Sequence, residues 1–183
     1  MDLATAGGKG ANLGELVRAG FPVPRGFVVT TDAYRSATAD LEHPTKDAIA
    51  ARPLPDEVRE AVERSYRDLG GGPVAVRSSA TAEDLPGAAF AGQQDTFLNV
   101  VGADAVAAAV RDCWASLWGE RTIAYRARLD VPDDSVAMAV VVQELVPADW
   151  AGVMFTANPS PGPATRSSST PAPGSASLSS RAP

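Results

Sequence analysis

At 183 residues, 45% hydrophobic and with a net charge of −6, the chain is long enough for one domain with a real core or for two small lobes. It lacks the clustered Lys and Arg that a nucleic-acid or anionic-membrane surface needs. Its single cysteine, Cys113, excludes an internal disulfide and fits a reducing compartment. No run approaches the roughly 18 apolar residues of a membrane span, and no basic stretch followed by an apolar core opens the chain, so the expected location is cytoplasmic.

Gly7-Gly8-Lys9-Gly10 opens the first element, with a short helix expected over residues 11–19, Leu13, Leu16 and Val17 on one face and Gly20 as its stop. A lysine at a glycine-rich helix entrance is a phosphate-type feature; taken alone it reads more simply as an exposed lysine at a helix N-terminus. It is not a Walker A loop, since Lys9 is followed by Gly10 and no glycine stands at the upstream position. Pro22 and Pro24 then delay a strand over residues 26–30, and Thr31 or Asp32 caps a short helix. Residues 38–55 carry Pro44, Pro53, Pro55 and the single histidine, His43, and read as a surface connection with at most one helical turn. Residues 56–69 form an amphipathic helix with Val58, Val62, Tyr66 and Leu69 on one face.

Residues 73–76 are a short apolar run that reads as a buried strand delivering Arg77, Ser78 and Ser79 into a loop of small polar residues. The loop closes at Pro86-Gly87, and a second strand follows over residues 96–101. A cation, two hydroxyls and backbone N–H groups beside a glycine-containing turn suit a polyanion such as a nucleotide phosphate; an ordinary hairpin with a solvated arginine has the same pattern. The longest helix is expected over residues 103–129, with Val106, Ala109, Val110, Cys113, Leu117 and Ile123 as its apolar stripe and Arg121, Arg126 and Arg128 on a solvated C-terminal face. Two apolar strands, residues 136–146 and 151–156, complete an α/β layered arrangement.

In this order the segments resemble the N-terminal nucleotide-binding domain of the pyruvate phosphate dikinase and phosphoenolpyruvate synthase family, which also includes rifampicin phosphotransferases. The resemblance rests on Gly7-Gly-Lys-Gly-Ala-Asn-Leu-Gly-Glu15, Val23-Pro-Arg-Gly-Phe27, Val76-Arg-Ser-Ser-Ala-Thr-Ala-Glu-Asp84 and Phe90-Ala-Gly-Gln-Gln-Asp-Thr96. It extends through Trp114-Ala-Ser-Leu117 with Arg121 and Tyr125-Arg126 to Gly152-Val-Met-Phe-Thr-Ala-Asn-Pro159. It implies a partial ATP-grasp domain over residues 1–159, in which α/β lobes clamp ATP. It also implies transfer of a phosphoryl group from ATP to a histidine on a separate domain and on to an acceptor such as pyruvate.

Carried over by position, Lys9 and Arg77 resemble the ATP-phosphate contacts, and Gly92 and Thr96 resemble the backbone and hydroxyl around the nucleotide. Gln143, Glu144 and Val146 resemble the adenine-side hinge, and Arg121 joins the set on the same basis. Phosphoryl transfer is largely positioning and charge neutralisation, which two cations from separate segments would supply in part. The family also uses Mg2+, acidic metal ligands, a Gln-x-Arg element, a phosphocarrier histidine and an acceptor-binding barrel, none of which has a counterpart in these 183 residues; His43 does not match the phosphocarrier. Family members are often oligomeric.

After Gly162 the composition turns to Ser, Pro, Ala and Gly without apolar period, so residues 160–183 are expected to be a disordered tail. Written with GC-rich codons and read one frame over from Arg166, the tail gives E-L-V-D-A-G-P-G-L-G-E-P-L-V-S-G. That string resembles the family's continuation, so an out-of-frame origin is a second expectation. Three functions follow: the ATP-binding part of a phosphoenolpyruvate synthase-type enzyme (or of a rifampicin phosphotransferase-type one) that does not turn over as an isolated fragment; a non-catalytic nucleotide-binding or interaction module; and a hydrolase using Ser78 or Ser79. The third needs a positioned base, and the sequence offers only His43.

Overall fold

A computed structural model describes residues 2–81, 95–128, 130–155 and 168–173. The Pro86-Gly87 turn, the Gly92 segment and Leu129 lie outside the described residues. The chain divides into two units, Met1–Leu145 and Val146–Pro183.

The first unit begins with α1 (Leu3–Arg18), which starts earlier than the glycine content suggests. The Asp2 carboxylate accepts from the Thr5 backbone N–H at 2.8 Å and so caps it. The helix is kinked at Gly7, whose φ of +65° and ψ of 177° are not helical. β1 (Gly26–Val29) follows, then α2 (Thr31–Thr38). The α2 N-cap position is Thr30, and it makes no side-chain capping bond, so neither Thr31 nor Asp32 is the cap. Thr31 is instead buried and donates its hydroxyl to the Ala4 carbonyl at 2.7 Å. The connection before residue 56 holds one short helix, α3 (Lys46–Ala50), whose Ile49 joins Leu54 in the core. α4 (Asp56–Asp68) places Asp56 and Glu57 in its first turn, favourable to the helix dipole, and turns Val58, Val62, Tyr66 and Leu69 inward as its period requires.

β2 (Val74–Ala80) corrects the sequence expectation: it does not stop at Val76 but runs on through Arg77, Ser78 and Ser79. All seven of its residues find partners in β4 (Met138–Glu144), from Val74 opposite Glu144 to Ala80 opposite Met138. A strand between two others keeps its backbone paired even where its side chains turn polar. On its other side β2 pairs with β3 (Thr96–Val100), with a bulge between Val74 and Val76. Asn99, at φ +56°, lies on the opposing stretch of β3. β1 closes the far side of β4, giving an antiparallel sheet of order β1-β4-β2-β3.

The long helix expected over 103–129 is two helices, α5 (Ala103–Ser116) and α6 (Glu120–Arg128). The break falls at Leu117–Gly119, and the Thr122 hydroxyl bridges it by donating to the Ser116 carbonyl at 3.2 Å. The new helix direction overturns the expected exposure of Arg126, which is 1% exposed. Its Nε and Nη2 donate to Asp133 Oδ1 at 3.0 and 2.8 Å, its Nη1 donates to the Leu117 carbonyl, and its guanidinium lies 5.1 Å from the Trp118 ring centroid. Trp118 Nε1 in turn donates to Tyr34 Oη at 2.8 Å. α5 lays Val106, Val110, Cys113 and Trp114 against Val74, Val76, Val140 and Val142. These side chains make the core on one face of the sheet.

In the second unit β5 (Trp150–Phe155) pairs antiparallel with β6 (Ser168–Pro173), from Trp150 opposite Pro173 to Phe155 opposite Ser168. β4 and β5, consecutive and both apolar, therefore belong to different sheets. Among the described residues no helix is long and apolar enough to cross a membrane.

Candidate functional site

Strand alternation decides which side chains meet. On β2, Val74, Val76 and Ala80 enter the core, so Ala75, Arg77 and Ser79 occupy the other face. Directly opposed residues of an antiparallel pair share a face. Arg77 is opposite Thr96 on one side and Val141 on the other, while Ala75 is opposite Gln143 and Gln143 is opposite Gly26. Arg77, Thr96 and Gln143, drawn from three separate stretches of sequence, thus lie on one face of one sheet.

α1 covers part of that face. A Cβ on Gly10 would lie 3.7 Å from Val141 and from Val28, and a Cβ on Gly7 would collide with the Ser79 carbonyl. The segment bearing Lys9 is therefore pressed against β2 at Ser79, two residues from Arg77. Gly7, Gly8 and Gly10 are buried and Lys9 is half-buried between them.

A groove of about 570 Å3 runs along α1 and β1, lined by Leu13, Val17, Val23, Gly26, Val28 and Gln143 among others. Its size and largely apolar walls suit a small organic ligand. The Gln143 amide Nε2 donates to the Pro24 carbonyl at 3.0 Å, which fixes the side chain at the groove. Glu144 turns its carboxylate to Arg25 at 3.3 Å, and its backbone N–H donates to the Arg25 carbonyl at 2.8 Å.

The other predicted residues are placed differently. Arg121 is exposed in the first turns of α6 and lines a separate cleft of about 730 Å3 with Thr45, Asp95 and Trp118. It shares that cleft with the neighbour of Thr96 rather than with Gln143. Val146 opens the second unit, exposed, with its carbonyl accepting from the Ala148 N–H at 2.9 Å. Gly92 lies outside the described residues.

Neither serine is an open nucleophile. Ser78 donates its hydroxyl to the Asp95 carbonyl at 3.1 Å and Ser79 to the Ala6 carbonyl at 2.7 Å, and both are buried. The local sequence places Ser79 as a loop hydroxyl; its bond to a residue 73 positions away leaves no trace in local pattern. Cys113 is fully buried, and burial first, then the nearby Asp95 and Asp112 carboxylates, pushes its thiol well above the usual range, with Lys9 opposing the shift. Among the described residues no three His, Cys, Asp or Glu side chains gather into a metal-holding group.

An antiparallel sheet with a core on one face, and on the other a kinked glycine-rich helix entry beside a strand-borne arginine, defines an α/β lobe. The chain belongs to the family described as pyruvate phosphate dikinase, AMP/ATP-binding domain, which it matches over residues 3–174. It is 46% identical to a probable phosphoenolpyruvate synthase of Methanothermobacter thermautotrophicus, with 88% of this chain and 28% of the relative covered. It is 47% identical to a rifampicin phosphotransferase of Streptomyces sviceus, with 89% and 22% covered. It is 41% identical to the phosphoenolpyruvate synthase of Aeropyrum pernix, with 87% and 23% covered. The chain thus spans 22–28% of the length of these relatives.

Proposed function

We propose that this chain is one lobe of the ATP site of a phosphoenolpyruvate synthase-type phosphotransferase. In this reading Lys9 and Arg77 neutralise the ATP phosphates, Thr96 hydrogen-bonds beside them, and the groove at Gln143 receives the adenine. The observation that carries the reading is the common sheet face of Arg77, Thr96 and Gln143, with the Lys9 segment packed on it. By resemblance Gly92, Glu144, Val146 and Arg121 join the nucleotide contacts in this reading.

Mg2+ belongs to the longer enzyme in this reading and is held by acidic residues outside the chain. The phosphoryl group passes from ATP to a histidine elsewhere in the longer protein and then to pyruvate. Rifampicin as acceptor is favoured by one observation, the 47% identity to a rifampicin phosphotransferase; the acceptor site lies outside this chain in either case. The isolated chain binds ATP weakly and does not turn over, in a cytoplasmic setting.

Calorimetric titration with ATP and with adenosine tests the binding. Lys9→Ala and Arg77→Ala are each expected to weaken ATP about tenfold, as for the loss of one charge-assisted contact, and to leave adenosine unchanged. Equal ATP affinity in wild type and both variants overturns the phosphate roles.

The domain boundary near residue 159 and an out-of-frame origin of the Ser/Pro/Ala tail are part of the same reading. Sequencing the DNA around the Gly162 codon tests them. A downstream frame encoding the Gly-Leu-Gly-Glu loop supports the frameshift, and an intact frame without it rules the frameshift out.

A further inference from the structure

Ser79 is fully buried and uses its one hydroxyl twice. It donates to the Ala6 carbonyl at 2.7 Å and accepts from the Gly10 N–H at 3.0 Å. A serine hydroxyl has one proton to give and lone pairs to receive, so both uses are compatible. The two partners bracket Lys9, one on each side of it. The same strand carries Arg77 two residues earlier, on the same face as Ser79.

We propose that Ser79 is a positioning residue for the phosphate site, its hydroxyl holding the Lys9 segment in fixed register with the Arg77 strand and so setting the spacing of the two cations. The inference rests on the ATP reading above and adds a residue to which that reading gives no role. A hydroxyl needed only to satisfy a buried core could bond any nearby carbonyl. This one ties both ends of the kinked Ala6–Gly10 turn, where Gly7 sits at φ +65° with no room for a Cβ. An α1 seated by apolar contact alone could slide along the sheet, because dispersion contacts are non-directional, whereas a donor–acceptor pair fixes both angle and register. A polyphosphate needs its two cations at a set separation, so loss of register costs binding without unfolding the lobe.

The chain has two lysines, Lys9 and Lys46, and Lys46 is exposed in α3, lining the cleft that holds Arg121 and not packed on the Arg77 sheet face. Pyridoxal 5′-phosphate, an anionic aldehyde, forms an imine with a lysine amine that borohydride reduces to a stable secondary amine. Peptide mass mapping then gives the Lys9-to-Lys46 labelling ratio, with uncharged pyridoxal as the control reagent. In wild type the ratio is expected to favour Lys9 with the phosphate reagent and to fall when ATP is added. Ser79→Ala is expected to lower it about tenfold, the size of one lost charge-assisted contact. Ser79→Thr, which keeps the hydroxyl, restores it, and the pyridoxal ratio stays constant throughout. Ser79→Cys, close in size with a weak hydrogen-bonding thiol, gives the same loss should the alanine variant fail to fold.

Three outcomes overturn the proposal. If folded Ser79→Ala and Ser79→Cys keep the wild-type ratio while Arg77→Ala lowers it, Ser79 has no positioning role and the phosphate reading stands. If the pyridoxal ratio falls in step, the effect is lysine exposure and not phosphate geometry. If wild type shows neither Lys9 preference nor ATP protection, the phosphate reading fails and takes this inference with it.

Discussion

A Cβ placed on Gly7 would lie 2.0 Å from the carbonyl oxygen of Ser79. Real Cβ atoms do not approach backbone oxygen so closely, and backbone on neither side can retreat without breaking the β2–β4 ladder or the helix. Gly7 also holds φ +65°, a conformation that costs other residues on the order of 1–3 kcal/mol. Gly7→Ala is therefore expected to destabilise the first unit by at least about 2 kcal/mol, read as a lower urea midpoint at unchanged m-value. Gly14→Ala, where a Cβ meets nothing within 4 Å, is the control and is expected to be neutral or slightly stabilising.

Arg126 is buried while its partner Asp133 is largely in solvent. Removing the guanidinium leaves the Leu117 carbonyl without its donor and opens space beside Trp118. Arg126→Ala is expected to cost about 2–4 kcal/mol, from the carbonyl left without a donor and the cavity, since Asp133 stays solvated. Arg126→Met fills most of the space and is expected to cost less. Asp133→Asn keeps a hydrogen-bond acceptor but leaves the buried Arg126 guanidinium without its counter-charge, so equilibrium denaturation should show Arg126→Met as the mildest of the three.

The Tyr66 hydroxyl ties two turns together. It donates towards the Gly71 and Gly72 carbonyls at 2.7 and 3.0 Å and accepts from the Gly102 N–H at 2.9 Å, the last before α5 begins. Tyr66→Phe keeps the ring in the core and removes these bonds. Gly71, Gly72 and Gly102 are exposed and can bond water instead, so a loss of about 0.5–1.5 kcal/mol is expected, measured by chemical denaturation.

The buried Cys113 thiol, held protonated in the folded chain, links stability to alkaline pH. Below the unfolded thiol's ordinary value, near 8.5, both states carry the proton and stability is complete in this respect. As pH rises past that value the unfolded chain releases the proton and the folded one does not. Stability therefore falls by up to roughly 1.4 kcal/mol per pH unit until the raised native value is reached. The wild-type minus Cys113→Ala difference in unfolding free energy should show that slope between pH 9 and 10.5 (approximate bounds chosen to bracket the rise), and none below pH 7. Native protein at neutral pH should not react with a thiol reagent until it unfolds.

The helices and strands were legible where the local pattern was strong. α4 shows it best: Val58, Val62, Tyr66 and Leu69 repeat at helical spacing and all turn to the core. The apolar run of β4 likewise announced a strand. β2 was read short because Arg77, Ser78 and Ser79 look like loop residues; the ladder to β4 overrides that polarity. The break between α5 and α6 is hidden in the sequence because Leu117, Trp118 and Ile123 continue an apolar pattern through Gly119. The burial of Arg126 is hidden for the same reason, since a face is exposed only relative to what packs beside it.

What the sequence alone determined is the family and the chemistry available: Lys9 among glycines, Arg77 after an apolar run, Gln143 at the end of another, all within segments that match one ATP-binding domain family. Those are properties of residue type and short-range order, and they survive without coordinates. The tertiary structure decided which of these residues share a surface. Arg77 meets Thr96 through strand register, the Ala6–Gly10 backbone on either side of Lys9 is bonded to β2 through Ser79, and Arg121 faces a different cleft from Gln143. Register and hydrogen bonds between residues 69 and 73 positions apart are cooperative properties of the packed sheet, so no window of local sequence contains them.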